Sequence, residues 1–448
     1  MSAPRGEFSS RWGFILAASG SAVGLGNVWG FPTQAASNGG GAFLIVYLLL
    51  TFLLAYPAFM AELIIGRYAK SNSVAALRKI SSGPKTHLMG SFLGYSGIAT
   101  ASLVLCFYAI IAGWMIAFML AGGADLFGGV AASSWLTSFG LPRNLVFTVA
   151  FFVLTVLVVI GGVQDGIEKW STRLMPVLLA LLLILIVYVM TLDGASEGLR
   201  LYLVPDFSKI LKPDLILSAM GQSFFSMSIG VGSMLIYGSY LSRKENLPRT
   251  GLAVTLIDIG IASMAGLLII PSMFVAQNNG VSIFDANGAL ISSDALIFTV
   301  LPALFDTMGS VGAAVGLVFF ALMSIAALTS SISMLEVPVA YTVETHNLSR
   351  KKATTLIACI LAVISLIIAA NFGALFGWVV RLTTQFSQPL LALFMCVFAG
   401  WIWHRSKVLA EIQQGCPDVA DGWFWKIWHP YIRYICPIGI LAVFIQSL

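Results

Sequence analysis

Of the 448 residues, 58% are hydrophobic and only 10% are charged, with a formal net charge of +5. A soluble domain of this length carries about 25% charged residues, and a larger core could not absorb the difference, because its surface would still need charge. A water-soluble globular chain is therefore excluded, and most of the surface has to lie in lipid.

Residues 1–10 are polar and lack a signal-peptide cleavage pattern, so the apolar segment that follows is expected to be retained. Stretches of about 20 apolar residues, enough to cross a bilayer, then recur along the chain. Eleven are expected, at 11–35, 41–66, 88–122, 144–162, 167–192, 214–242, 250–274, 311–344, 353–371, 374–403 and 428–447. No soluble domain fits between them. Basic residues set the orientation. A cytoplasmic N-terminus leaves only Arg143, Arg200, Lys209 and Lys212 outside and Arg381 within a span, while the 67–87 loop alone carries Arg67, Lys70, Arg78, Lys79 and Lys85. Asp125, Asp193, Glu197, Asp206, Asp285, Asp294 and Asp306 fall on the outer side. Eleven spans require an extracellular C-terminus. The positive charge is a topology signal and calls for no nucleic acid. The five cysteines (Cys106, Cys359, Cys396, Cys416 and Cys436) are placed too poorly for pairing across an outer loop, and no disulfide is expected.

Two spans break the Leu/Ile/Val/Phe pattern. The first reads "LAASGSAVGLGNVWGFP", with Gly20, Gly24, Gly26 and Gly30 around Asn27. The sixth reads "GQSFFSMSIGVGS", with Gln222, Ser223, Ser226 and Ser228 ahead of Gly230 and Gly232. Gly20 and Gly24 alone could mean close helix packing. The pairing argues for more, since the two segments hold corresponding places in two five-span halves. Interrupted segments so placed point to an inverted-repeat transporter, and unwound backbone at membrane depth has to line a cavity or bind something. Freed amides can meet a carboxylate, and freed carbonyls a cation. Span 8 adds "IAALTSSISMLE", with hydroxyls at Thr329, Ser330, Ser331 and Ser333. These suit a hard cation, although a hydroxyl can also bond back to its own helix. Glu62 and Glu336 are intramembrane carboxylates, functional candidates by default; a structural role is the reading favoured for both, with Glu62 bracing broken helix ends. In span 5, "GIEKWSTRLMP" sets Gly166 and Pro176 around a stretch that can unwind or simply kink.

"GSAVGLGNVWGFP", "NGGGAFLIVY", "AELIIGRY", "GQSFFSMSIGVG" and "LTSSI", in this order, resemble the neurotransmitter:sodium symporter family in its bacterial, LeuT-like amino acid branch. The likeness spans essentially the whole chain, one helix short of the usual twelve. The resemblance implies an all-α LeuT-like fold. It would have a cytoplasmic tail (1–10), a first repeat (11–192), an outer loop (193–213), a second repeat (214–403), and an inner loop with span 11 (404–448). It implies symport of a hydrophobic L-amino acid such as Trp or Leu with sodium, with no obligate protein partner.

Matching positions imply a first sodium site from the Ala22 carbonyl, Asn27, Ser226 and Asp258, and a second from the Gly20, Val23 and Ala326 carbonyls with Thr329 and Ser330. The amides near Leu25 and Gly26 and the Tyr108 hydroxyl would hold the substrate carboxylate, and carbonyls around Ala22, Phe225 and Ser226 the amine. Val104, Tyr108, Phe225, Ser228, Val231, Ser330 and Met334 would line an uncharged side-chain pocket. Monoamine carriers of the family have an aspartate at the position of Gly24, so an amino acid substrate is implied. Tyr47 and Gln222, with Ser226, resemble the family's chloride environment, but Asp258 replaces a common Asn and no chloride is expected. The family's outer-gate arginine is Gly30 here, its span 10 aspartate is missing, and Phe225 over Tyr108 is left to close the outer side. Arg5 and Glu344 would form the inner gate, with Phe8 in place of the usual Trp, and Gly166 and Pro176 would gate through span 5. A channel, an intramembrane enzyme and a sodium symporter for another small zwitterionic solute are the alternatives. No repeated pore loop supports the first, and no HExxH, GxSxG or mid-span histidine supports the second.

Overall fold

The computed structural model describes residues 6–283 and 296–446, and all regular structure among them is helical. Arg5, Asp285 and Asp294 lie outside the described residues. Eight helices are long and apolar enough to cross a membrane on their own. They are span 2 (Gly41–Ala69), span 3 (Pro84–Leu126), span 4 (Leu141–Ile160), span 5 (Val163–Val189), span 7 (Leu247–Asn278), span 8 (Val311–His346), span 9 (Arg350–Ala370) and span 10 (Phe372–Ile402). Span 1 passes as a pair, Arg11–Ala22 and Gly26–Ser37, bent by 54°. The remaining two expected segments are shorter pieces. Span 6 comprises Pro213–Ser226 and Ser233–Ser239, and span 11 runs through Tyr431–Ile435 into Cys436–Gln446.

Both interruptions have local causes. At the first, Val23 turns to an extended conformation (φ −70°, ψ 102°) and ends the helix. At the second, Ser228, Gly230 and Gly232 take positive φ of 51°, 81° and 80°. Only glycine adopts this region freely, and a Cβ on Gly230 would also run into the backbone of Gln388 in span 10. Glu62 of span 2, fully buried, accepts the freed Gly230 N–H at 2.8 Å. It braces the break from the side, satisfying a buried donor that helix geometry leaves unpaired.

The connections carry more structure than apolar patterning reveals. Helices Ser73–Ile80, Ala195–Leu203, Arg405–Gln413 and Trp423–Pro430 lie between spans. The helix Ala195–Leu203 is pinned to span 7, where a Cβ on Gly198 would meet the backbone of Pro271 and where Tyr202 donates to the Ser263 carbonyl at 2.9 Å. Two arginines counted for topology are structural. Arg67, fully buried, pairs with Glu411 at 2.7 Å and donates to the Glu245 carbonyl at 2.7 Å, tying two connections to span 2. Arg143 is also fully buried; it donates to the Leu136 carbonyl at 2.8 Å and lies over the rings of Phe118 and Phe139.

Candidate functional site

The two breaks face each other, and the polar side chains that the sequence singles out meet there. Asn27, just past the break in span 1, sends its amide nitrogen to Ser226 Oγ at 2.8 Å and to Asp258 Oδ1 at 2.7 Å. Ser226 Oγ in turn donates to Asp258 Oδ2 at 2.8 Å and accepts from the Tyr47 hydroxyl at 3.1 Å. All four side chains are fully buried. A carboxylate shut in at this depth needs a cation or a proton, since burying an unpaired charge is expensive. Asn27 Oδ1 accepts from the Gly24 N–H at 3.2 Å, and Gln222 donates to the Gly26 carbonyl at 2.7 Å, so both side chains also hold the break open.

A second group of oxygens lies where span 8 crosses the break in span 1. Ser330 Oγ reaches the carbonyls of Gly20 (3.3 Å) and Val23 (3.2 Å). Thr329 Oγ1, one residue earlier, is 3.0 Å from the Ala326 carbonyl. A Cβ on Gly20 would stand 3.1 Å from Thr329 Cβ and 3.3 Å from Met175 Sδ, so span 5 closes the far side of this group. The remaining hydroxyls bond back to their helix and also cross to a neighbour. Ser333 donates to the Ser330 carbonyl and accepts from Ser21 at 2.6 Å; Ser331 donates to the Leu328 carbonyl and meets Thr155 at 2.9 Å.

Between the two groups, the Leu25 N–H donates to the Tyr108 hydroxyl at 3.2 Å. A Cβ on Gly24 would come within 2.7 Å of that hydroxyl and strike Ser330 Oγ, and one on Gly26 would come within 2.8 Å of the Phe225 ring. Val104, Tyr108, Ser228, Val231, Ser330 and Met334 are buried, and Ser228 donates to the Ser21 carbonyl at 3.1 Å. Ala22 is buried at the end of the first half-helix. A cavity of about 400 Å³, bordered by Gly30, Tyr108, Gln222 and Phe225, approaches this region from the side of Trp29 and Thr33.

The sodium:neurotransmitter symporter family as a whole matches residues 5–126 and 131–448. The chain belongs to that family. Among its members, a sodium-dependent transporter of Bacillus subtilis, YhdH, is 34% identical over 99% of this chain and 97% of its own length. A taurine transporter of Bos taurus, described as sodium- and chloride-dependent, is 27% identical over 99% of this chain and 78% of its own. Among solved structures, MhsT in complex with L-phenylalanine superposes with a TM-score of 0.85 at 35% identity, covering 99% of this chain and all of that one. The protein is thus a multi-pass, sodium-coupled symporter with the LeuT-like fold, and not an enzyme.

In this symporter, the other expected gating residues fall on one side of the breaks. Phe8 is buried against Phe14, Tyr237 and Tyr240, with ring centroids 5.3, 5.8 and 6.4 Å away. Glu344 accepts from the Asn72 backbone and side chain at 2.8 and 2.9 Å. Gly166 packs where a Cβ would meet the Val158 carbonyl and Gly161 of span 4, so it serves close approach as well as backbone freedom. Pro176 interrupts the helix Lys169–Val189 two turns on.

Sequence reading missed the partners of two carboxylates here, one of them Glu336, already singled out as structural. Glu168 accepts from the Ser9 N–H at 2.8 Å and from the hydroxyls of Ser9 (2.7 Å) and Ser10 (3.1 Å), fastening the N-terminal segment to span 5. Glu336 forms a bidentate pair with Arg350, at 2.5 and 3.1 Å, and accepts from Tyr240 at 2.5 Å. The serine pair at 9–10 and a carboxylate in an otherwise apolar stretch were the only available signals.

Proposed function

We propose that this symporter imports hydrophobic L-amino acids, carrying two sodium ions with each and requiring no chloride. The observation that carries the reading is the buried group of Asn27, Ser226 and Asp258 beside the unwound backbone of span 1. The first sodium is assigned to the Ala22 carbonyl, Asn27, Ser226, Asp258 and the substrate carboxylate. Turning the Asn27 amide over would present Oδ1 to the ion. The second is assigned to the carbonyls of Gly20, Val23 and Ala326 with Thr329 and Ser330, an all-oxygen set of the kind hard cations take.

The substrate carboxylate is assigned to the Tyr108 hydroxyl and the amides of Leu25 and Gly26, a use of the positive end of a half-helix. The amine is assigned to carbonyls near Ala22, Phe225 and Ser226. Lack of room at Gly24 supports a substrate that brings its own carboxylate, since no acidic side chain can stand there. The bound phenylalanine of MhsT, at 35% identity, supports an apolar side chain between Val104, Phe225, Ser228, Val231 and Met334. The N-terminus is assigned to the cytoplasm and the C-terminus to the outside, with repeats at 11–192 and 214–403. Arg5 with Glu344, and the 166–176 stretch, are assigned to the inner gate.

The test is uptake of a panel of radiolabelled amino acids into proteoliposomes under an imposed sodium gradient. Saturable, sodium-dependent accumulation of Leu, Phe and Trp is expected. Uptake confined to another zwitterion such as taurine would overturn the substrate assignment, and ion current without saturable uptake would mean a channel.

A further inference from the structure

A cavity of about 490 Å³ opens away from the transport site, between the inner ends of spans 2, 10 and 11 and the short helices at Ser73–Ile80 and Arg405–Gln413. Its lining includes four cations, Lys79, Arg405, Lys407 and Arg433, and no carboxylate. Three of its polar groups are buried without a hydrogen-bond partner among the described residues, namely Trp403 Nε1, His429 Nε2 and Arg433 Nε. Trp403 is 2% and His429 4% exposed. Buried polar groups are ordinarily satisfied; Trp403 Nε1 and Arg433 Nε are donors, and so is His429 Nε2 in one tautomer, so this basic cavity calls for an acceptor.

The surroundings hold these groups in place. A Cβ on Gly400 would stand only 2.8 Å from Arg433 Cα, and Trp401 Nε1 donates to the Arg433 carbonyl at 2.8 Å while the guanidinium lies 4.4 Å from the Trp401 ring. The Trp403 ring rests on Tyr68 at 4.7 Å, and the His429 ring on Trp425 at 4.9 Å. Arg405 lies over Trp425 at 5.7 Å. Stacking of this kind restrains cations and indoles while leaving their N–H groups free to donate.

We propose that this cavity is a binding site for a phosphate-bearing anion, with Arg405, Arg433, Lys79 and Lys407 supplying charge and Trp403 and His429 supplying directed N–H donors. Guanidinium groups match phosphate oxygens in pairs, and basic pockets at membrane helix ends take anionic lipid headgroups. A phospholipid headgroup and a soluble phosphate share this chemistry.

The test is native mass spectrometry of the full-length protein released from nanodiscs of phosphatidylcholine containing 20% phosphatidylglycerol, with and without about 10 mM inorganic phosphate or sulfate. One retained phosphatidylglycerol is expected, with at least tenfold weaker retention in Arg405→Gln/Arg433→Gln and severalfold weaker retention in Trp403→Phe, which keeps the ring and removes the donor. Displacement by phosphate and not by sulfate would assign the site to soluble phosphates, still as a phosphate site. No retained lipid and no bound phosphate would overturn the proposal. So would equal loss in Lys351→Gln/Lys352→Gln, exposed cations remote from the cavity. Size-exclusion profiles matching the wild type show that each variant is folded.

Discussion

The Ser226 hydroxyl donates to Asp258 Oδ2 at 2.8 Å, joining the break in span 6 to a carboxylate in the middle of span 7. Around them, Asn27 and Tyr47 complete a buried group whose one formal charge belongs to Asp258. A lone carboxylate at this depth costs about 2.5–3.5 kcal/mol on insertion scales. In the proposed cycle it balances the charge of the first sodium. Wild-type uptake should therefore be indifferent to replacing chloride by gluconate. Asp258→Asn should transport slowly and be partly rescued by chloride. A chloride requirement in the wild type, or unchanged transport and pH dependence in the variant, would refute this role.

Thr329 and Ser330 carry the second-sodium assignment. Two sodium ions entering with a zwitterion move two charges. At about 2.3 kcal/mol per charge per 100 mV, that supplies roughly 4.6 kcal/mol, or about a thousandfold accumulation from the potential alone. Thr329→Ala/Ser330→Ala should abolish concentrative uptake in proteoliposomes. Accumulation at the wild-type level in that double variant would remove the site.

Val231 tests which way the bound side chain points. Val231→Phe overpacks a buried position, at a cost of about 1–3 kcal/mol, and should weaken Trp several-fold more than Leu. The readout is competition of each amino acid against a common radiolabelled substrate. Equal loss for both would place Val231 outside the pocket.

Arg350 and Glu336 give a stability prediction. Glu336 is fully buried and Arg350 about three-quarters so. Removing one partner of a buried pair costs roughly 3–5 kcal/mol, whereas removing both can be nearly neutral. Arg350→Met should lower the unfolding temperature sharply, and Arg350→Met/Glu336→Gln should recover part of the loss. A double variant no more stable than the single one would show that the carboxylate is not what is left stranded.

Span 5 provides the dynamic test. Hydrogen exchange over 166–175 should be faster in potassium than in sodium with substrate, because Met175 lies against the Gly20 turn of the second oxygen group. Identical exchange in the two conditions would leave Pro176 as a static kink.

Much of this was legible because membrane proteins write their exceptions in glycine and polar residues. Both breaks were visible in the spacing of Gly20, Gly24, Gly26, Gly230 and Gly232, and the polar residues that meet there stood out against Leu and Phe. The resemblance, and not periodicity, supplied Asp258, a single acid with no pattern around it. Connecting helices such as Ser73–Ile80 and Ala195–Leu203 were hidden, since short amphipathic segments between spans look like polar loops. Arg67 and Arg143 were read as topology charges, because burial of an arginine depends on a carbonyl or carboxylate brought by distant chain, such as Glu411. The partners of Glu168 and Glu336 were obscure because folding brings them from other segments, Ser9 from 159 residues away and Arg350 from the start of span 9.

The tie from Ser9 and Ser10 to Glu168 has a mechanical consequence. Glu168 sits at the end of the π-helical turn Val163–Glu168, within the stretch assigned above to the inner gate. Gly13 packs so tightly against the same carboxylate that any side chain there would displace it. In the proposed cycle the two parts would work as an interlock: a swing of the first half of span 1 and an uncoiling of span 5 would each have to break the same contacts of Glu168. One side chain that touches neither ion nor substrate would then place their release in sequence.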